Sequence, residues 1–162
     1  MVPHAHTRPV HFPRPSRNGT APRRKVVLVL EDHASVGGLI AGLVRQEGYR
    51  AVRAWDVREA TRLAKDRSVD AVVLDLNLAY PDGLEVLKQL ATQGTLKQAP
   101  VVLVTGGAVQ PSTSELEQIR EVVRKPFDID VMLNAVRGAV GDPVKPVEAR
   151  HFDEQDYFLN GF

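Results

Sequence analysis

Acidic, hydroxyl and amino side chains follow four apolar segments of this 162-residue chain. Glu31 and Asp32 come directly after the first apolar run, and Asp75 closes the third. Thr105 closes the fourth run, and Lys125 follows a shorter fifth one. If these runs are parallel strands, their carboxyl ends meet at one edge of a sheet. Three carboxylates, one hydroxyl and one ammonium would then converge there, although they are spread over nearly a hundred positions.

Such a set of groups is suited to phosphoryl transfer. Closely placed carboxylates repel one another, and a hard cation such as Mg²⁺, which takes one or two carboxylates and keeps several waters, relieves the repulsion. Metal, ammonium and hydroxyl can together neutralise the oxygens of a transferred phosphoryl group. An aspartate beside the metal can be the nucleophile, and Asp75 is our candidate because its strand is the most apolar and centrally placed. Taken singly, each residue also has an ordinary explanation as a helix cap or turn residue.

Two hydrophobic patterns alternate along the chain and define the elements that position these residues. Continuous apolar runs predict buried strands, and apolar residues at helical spacing predict helices. We expect strands over 26–30, 50–55, 70–75, 100–104 and 121–123, and helices over 35–48, after the capping pair Asp56 and Glu59, after Gly83, from the capping pair Ser112 and Glu115 to about Ile119, and from Ile129 to Gly141. Five strands alternating with five helices predict one α/β domain with a parallel sheet over residues 25–140.

The overall composition excludes several classes of protein. Hydrophobic residues make up 43% and charged residues 25% of the chain, as in ordinary globular proteins. No apolar run is long enough to predict a transmembrane helix or a secretory signal, so we expect a cytoplasmic protein without membrane contact. The absence of cysteine excludes disulfides, thiolate zinc sites and a thiol nucleophile.

The two ends of the chain differ in charge. Residues 1–24 contain five prolines and few large apolar residues, and residues 1–25 carry six basic residues and no acid. We interpret 1–24 as a disordered basic tail, with contact to nucleic acid, lipid or an acidic partner as the alternative. Residues 141–162 hold five acids, two bases and four of the nine aromatic residues. This acidic aromatic tail either packs against the chain's own surface or docks a partner.

The chain resembles the receiver domain of bacterial two-component response regulators over about residues 25–140. Five segments carry the resemblance: VLVLED at 27–32, VVLDLN at 72–77, LEVL at 84–87, VLVTG at 102–106 and RKPF at 124–127. The resemblance implies a flavodoxin-like, doubly wound sheet in the order 2-1-3-4-5, flanked by five helices. It also implies a cis bond between Lys125 and Pro126.

Carried over to this chain, the resemblance assigns a role to each polar residue at the predicted sheet edge. Asp75 would be the phosphoacceptor, Asp32 would bind Mg²⁺ directly, Glu31 would assist through water, Asn77 would offer its backbone carbonyl to the metal, Thr105 would bind a phosphoryl oxygen, and Lys125 would pair with the phosphoryl group. The only catalysis implied is the chain's own phosphoryl transfer and autodephosphorylation, without turnover of an independent substrate.

The resemblance also implies partners. A sensor histidine kinase or a histidine phosphotransfer protein would supply the phosphoryl group. Some twenty residues follow Gly141, too few for an attached DNA-binding domain, so we expect the output to be contact with a downstream protein. A homodimer could form through the predicted fourth helix, fifth strand and fifth helix.

Two departures from the receiver pattern leave an alternative open. Receivers usually carry Tyr or Phe three residues before the lysine, where this chain has Val122, and the stretch from Thr105 to Lys125 is slightly short. A receiver that no longer switches and serves only as a docking module therefore remains an alternative. Gly106 would leave the site open to water, which predicts a short-lived acyl phosphate.

Two other classes fit the residues less well. An aspartate-nucleophile phosphatase needs a second acid two residues after the nucleophile, where this chain has Asn77. A flavin-binding protein needs a phosphate loop after the first strand, where Glu31 and Asp32 would repel phosphate in the absence of a metal.

Overall fold

A computed structural model describes residues 23–66, 68–79, 82–94, 99–107 and 117–143. Strands and helices alternate along these residues, except between β4 and β5, where residues 108–116 are not described. The elements are β1 (Val26–Leu30), α1 (Ala34–Gln46), β2 (Arg50–Ala54), α2 (Val57–Asp66), β3 (Ala71–Asp75), α3 (Gly83–Thr92), β4 (Val101–Thr105), β5 (Ile119–Arg124) and α4 (Ile129–Val140). The expected α/β alternation is thus confirmed for the part of the chain that the structure describes.

The five strands form one parallel sheet in the order β2-β1-β3-β4-β5, which confirms the expected topology. Every residue of β1, β3 and β4 is buried, because helices cover both faces of the sheet. Successive residues of β1 point to opposite faces. Val27 and Val29 pack with residues of α1 and α4, whereas Leu28 and Leu30 pack with residues of α2 and α3.

The predicted helix from Ser112 to about Ile119 is wrong at its end. Glu117 and Gln118 form a turn, and Ile119 begins β5, where it pairs with Val101 and packs against the core on the α2 and α3 side. The rest of that predicted helix, up to residue 116, lies outside the described residues. The structure therefore describes four helices where five were predicted, and α4 corresponds to the fifth.

Ion pairs hold both ends of the described chain against the body. The Arg23 guanidinium lies 2.6 and 2.9 Å from the two Asp70 carboxylate oxygens. Lys25 Nζ donates to the Val140 carbonyl at 2.7 Å and pairs with Asp142. Most of the two predicted tails, 1–24 and 141–162, lies outside the described residues, which include only 23–24 and 141–143 of them.

The described helices are short. The longest, α1, has 13 residues. Among the residues that the structure describes, no helix combines the length and the apolar character needed to span a bilayer.

Candidate functional site

Three charged groups from different strand ends meet at the carboxyl-end edge of the sheet. Lys125 Nζ lies 2.9 Å from Asp75 Oδ2 and 3.3 Å from Glu31 Oε2. The Glu31 and Asp75 side chains are 1% and 2% exposed, and that of Lys125 is 27% exposed. Because β1, β3 and β5 are parallel, their carboxyl ends bring these residues together, as the sequence predicts.

The charges in this cluster are coupled through burial and short contacts. Burial raises the pKa of Glu31, and the neighbouring Asp75 charge adds to this, while the His33 N–H at 3.1 Å and the Lys125 ammonium oppose it. Burial by itself would lower the pKa of Lys125. Its hydrogen bonds and charge interactions with Asp75 and Glu31 outweigh burial and raise that pKa. Lys125 therefore stays protonated and bridges the two buried carboxyl groups.

Asp32 occupies a more open position than Glu31. Its Oδ2 accepts the backbone N–H of Ala79 at 2.8 Å, and its Oδ1 lies 3.0 Å from His33 Nδ1. The Ala79 N–H, followed by the His33 contact, holds the pKa of Asp32 below its usual range, so the side chain is ionised at neutral pH. Ligand atoms of Glu31, Asp32 and His33 lie within 4.8 Å of one another. Sequence reasoning missed His33, although its place directly after two acids was a signal.

The backbone behind Asp75 is held tightly by its neighbours. The Asn77 N–H donates to Asp75 Oδ1 at 3.0 Å, and the Leu76 N–H donates to the Val104 carbonyl at 2.9 Å. A Cβ atom on Gly83, the first residue of α3, would lie 2.5 Å from Leu76 Cα and 2.6 Å from the Asp75 carbonyl oxygen. Only glycine fits this close approach of backbone to backbone. The packing of α3 thereby fixes the orientation of the Asp75 segment.

Thr105 and Asn77 lie beside the charged cluster and are not hydrogen-bonded to its ammonium. The Thr105 hydroxyl is buried and accepts the Gly107 N–H at 3.1 Å, while its carbonyl accepts the Lys125 N–H at 2.7 Å. A Cβ atom on Gly106 would meet only Asn77 Nδ2, at 3.8 Å, so the space beside Gly106 is open as expected. The bond between Lys125 and Pro126 is cis, which confirms that expectation.

The residue three positions before Lys125 is Val122, which is not aromatic. Val122 lies on β5 and is 40% exposed, whereas its neighbour Val123 is 1% exposed and belongs to the core. The side chain at this position therefore lies on the outer face of the strand. A valine here offers a small apolar surface to solvent and cannot swing an aromatic ring toward Thr105.

The sequence profile of the response regulator receiver domain matches residues 27–137, which include all of these site residues. The chain belongs to this family. Similar curated receivers are the polar-differentiation response regulators DivK of Brucella anthropi and Brucella ovis, each 28% identical over 120 residues that cover 73% of this chain and 98% of theirs.

Solved receiver structures share this fold. The receiver domain of NtrX from Brucella abortus is 27% identical, with a TM-score of 0.63 over 72% of this chain and 99% of that one. Chemotaxis protein CheY4 of Vibrio cholerae is 23% identical, with a TM-score of 0.65 over 72% and 99%. The receiver domain of a Pseudomonas aeruginosa sensor histidine kinase, which holds a magnesium ion in its active site cleft, is 23% identical, with a TM-score of 0.63 over 74% and 100%.

The donor set of this receiver fits a hard divalent cation. Glu31, Asp32 and Asp75 offer carboxylate oxygens, which are the ligands that Mg²⁺ prefers in proteins. The two buried carboxyl groups share the single ammonium of Lys125, and Asp32 is partly exposed beside them. Within this cluster three carboxylates face one ammonium, and a divalent cation would compensate the excess of negative charge.

Proposed function

We propose that this receiver accepts a phosphoryl group on Asp75 in a Mg²⁺-dependent reaction. A sensor histidine kinase or a histidine phosphotransfer protein supplies the group from a phosphohistidine. The observation that carries the proposal is the Lys125 ammonium, which lies 2.9 Å from the carboxylate oxygen of a buried aspartate at the end of the central strand. Receivers of this family with similar sequences, such as the DivK response regulators, support it.

In the proposed reaction a carboxylate oxygen of Asp75 attacks the phosphorus atom. The bond between phosphorus and the histidine nitrogen breaks, and its electron pair stays on the imidazole ring. The product is an acyl phosphate on Asp75. Lys125, already hydrogen-bonded to Asp75, neutralises charge on the phosphoryl oxygens, and the Thr105 hydroxyl donates to one of them.

Four residues would hold the metal in this scheme. Glu31, Asp32 and Asp75 contribute carboxylate groups, and Asn77 contributes its backbone carbonyl. Bound Mg²⁺ would neutralise developing negative charge on the phosphoryl oxygens. The magnesium ion in the similar Pseudomonas aeruginosa receiver supports this assignment.

The output of this receiver is proposed to be contact with a downstream protein, without turnover of a separate substrate. Phosphorylation adds about 1.5–2 negative charges and three acceptor oxygens at the sheet edge. Asn77 stands where an aspartate-nucleophile phosphatase would need an acid, which argues against that class. The homodimer face stays a prediction, since residues 108–116 lie outside the described part of the chain.

A second candidate function rests on Val122. Because this exposed valine cannot couple Thr105 to a buried aromatic ring, phosphorylation of Asp75 would leave the surface around β5 unchanged, and the chain would act as a docking module. The two functions differ in whether partner affinity depends on phosphorylation. A partner that binds Asp75→Asn and phosphorylated wild-type protein equally well would favour docking without switching.

Intact mass spectrometry tests the proposed phosphoacceptor. The full chain is incubated with acetyl phosphate and Mg²⁺, and we expect one phosphoryl adduct in the wild type and none in Asp75→Asn. Asp82→Asn is the matched control, because Asp82 caps α3 through its Oδ1 at 2.7 Å from the Leu84 N–H, a bond that asparagine can also accept. An undiminished adduct in Asp75→Asn would refute the assignment.

A further inference from the structure

A basic cleft opens at the amino-end edge of the sheet, opposite to the acidic cluster. The cleft has a volume of about 750 Å³ and is lined by four arginines, Arg23, Arg24, Arg45 and Arg50, together with Tyr49 and a few small or apolar side chains. Five-residue strands separate it from the carboxyl-end edge, a distance of about 16 Å along the sheet. We name it the arginine cleft.

The arginine cleft carries an excess of positive charge. No acidic residue is among the residues that line it. Three acids of the surrounding elements are already paired, since Asp70 binds Arg23, Asp142 binds Lys25 and Glu47 binds Arg137. Arg24 and Arg50 have no ion-pair partner among the residues that the structure describes. An acidic ligand would therefore find unpaired guanidinium groups in this cleft.

The described chain ends beside this cleft. Tyr49, which lines the cleft, donates its hydroxyl to Asp142 Oδ2 at 2.8 Å. The C-terminal tail continues from Pro143, directly after Asp142. Asp142 therefore holds the last described residues of the chain beside the arginine cleft.

The sequences of the two undescribed ends differ in how they match the cleft. Residues 1–22 carry three arginines and no acid, so they have the same charge as the cleft. Residues 152–158 hold three acids, three aromatic residues and no base. Carboxylates can pair with the guanidinium groups, and aromatic rings can stack on arginine and pack against the Tyr49 ring. Charge and ring content both favour the C-terminal segment.

The connecting residues are long enough to reach. Eight residues lie between Pro143 and Phe152, so Phe152 is nine residue steps from Pro143. A chain of that length spans about 30 Å when extended and about 16 Å on average when flexible. We propose that residues 152–158 bind intramolecularly in the arginine cleft, so that the acidic aromatic tail docks at the edge of the sheet remote from Asp75.

A paramagnetic label locates the tail. Because the chain has no cysteine, Gln155→Cys creates a single thiol for a nitroxide in the full chain. In ¹⁵N spectra we expect the strongest broadening at the amides of Ala51 and Ser68, which line the cleft, and the weakest at Gly106 on the opposite edge. Broadening of equal strength at both edges would overturn the proposal.

Charge reversal tests the chemistry of the contact. Arg24→Glu with Arg50→Glu should abolish the broadening at Ala51 and Ser68. Arg58→Glu with Arg120→Glu changes the net charge equally at exposed sites away from the cleft and should leave the broadening intact. Unchanged broadening in the Arg24→Glu, Arg50→Glu variant would contradict the proposal.

Two further samples complete the design. Neutralising the tail by Asp153→Asn, Glu154→Gln and Asp156→Asn should remove the same broadening without altering any described residue. A mixture of spin-labelled unenriched chains with unlabelled ¹⁵N chains should show no broadening. Broadening in the mixture that matches the single-chain sample would assign the contact to a second copy and overturn an intramolecular dock.

Discussion

Charged side chains are buried and share a partner at one edge of the sheet, and are exposed and separately paired at the other. At the carboxyl-end edge, Glu31 and Asp75 are almost fully buried and share the ammonium of Lys125. At the amino-end edge, Asp70 and Asp142 each have their own basic partner, in the pairs Arg23–Asp70 and Lys25–Asp142, whose side chains are 22–56% exposed. Exposed ion pairs contribute little to the free energy of folding, because their charges remain hydrated. Buried charges carry a large desolvation penalty.

The candidate site and the contacts that hold the described ends of the chain therefore lie at opposite edges of one small sheet. The buried edge keeps an excess of acid that stabilises the fold poorly and suits a metal and a phosphoryl group. The exposed edge holds the two ends of the described part of the chain and keeps an excess of arginine. Substitutions at the first edge should therefore change stability strongly, and those at the second edge weakly.

The largest effect is expected from Gly83→Ala behind Asp75. The added methyl group would lie 2.5 Å from Leu76 Cα and 2.6 Å from the Asp75 carbonyl oxygen. Both of these atoms belong to packed backbone that cannot move aside. We expect a loss of about 3 kcal/mol in the free energy of unfolding, measured with urea. Gly42→Ala in α1 is the control, because nothing lies within 4 Å of its added Cβ. Equal stability of the two variants would contradict the close approach.

The next largest effect is expected from Lys125→Ala. Removal of the ammonium leaves Glu31 and Asp75 buried beside each other without a counter-charge, although each keeps a backbone N–H donor. We expect a loss of about 2 kcal/mol in Mg²⁺-free buffer at neutral pH, less than the roughly 3–5 kcal/mol of a fully buried pair, because Lys125 is 27% exposed. Added Mg²⁺ should restore part of the loss by binding the folded state.

Lys88→Ala is the matched control for that variant. Lys88 is exposed on α3, and its removal should change the free energy of unfolding by less than about 0.5 kcal/mol. If the two lysine variants lose equal stability, the contrast between buried and exposed charge is wrong.

A smaller effect with a distinct pH dependence is expected from Glu31→Gln. The pKa of Glu31 is raised above its ordinary 4.5 by burial and by Asp75, so the folded state binds its proton more tightly than the unfolded state. The ionised group therefore lowers wild-type stability above this raised pKa. Without Mg²⁺, Glu31→Gln should be more stable than wild type at neutral pH, and the gain should vanish as the pH falls below 4.5.

Urea titrations of both proteins across this pH range provide the measurement. A variant that is less stable than wild type at neutral pH would show that the contacts of the Glu31 carboxylate outweigh its burial.

The smallest effect is expected from Asp142→Asn at the exposed edge. Hydrogen bonds from Lys25 and Tyr49 hold the pKa of Asp142 below its ordinary 3.8, so its contribution is present above that value and is lost as the pH falls through the lowered folded pKa. The variant should lose less than about 1 kcal/mol at neutral pH, and added salt should reduce this loss. A loss as large as that of Lys125→Ala would remove the distinction between the two edges.

Much of the fold follows from local patterns in the sequence. β1, β3 and β4 are continuous apolar runs, and a parallel sheet covered on both faces needs such runs. Ile119 was misassigned because its strand is set by pairing with Val101, a contact between distant positions that local spacing does not reveal. The sequence of β5 is only weakly apolar, because β5 is an edge strand whose residues are mostly exposed.

The three charged residues of the candidate site were predictable once the strands had been assigned. Parallel topology alone brings Glu31, Asp75 and Lys125 to one edge once the strands are known. The roles of His33 and the Ala79 N–H beside Asp32 were not predictable, because they depend on how the loops after β1 and β3 approach each other. The arginine cleft likewise joins residues from three separate segments of the chain.

The most direct test of the account identifies the residue that carries the phosphoryl group. The protein is treated with acetyl phosphate, with Mg²⁺ or with EDTA, and then reduced with borohydride, which converts an aspartyl phosphate to homoserine. Peptide sequencing by mass spectrometry should find homoserine at position 75 in the Mg²⁺ sample and aspartate there in the EDTA sample. Aspartate at position 75 in both samples, with the phosphoryl adduct present, would contradict the central claim.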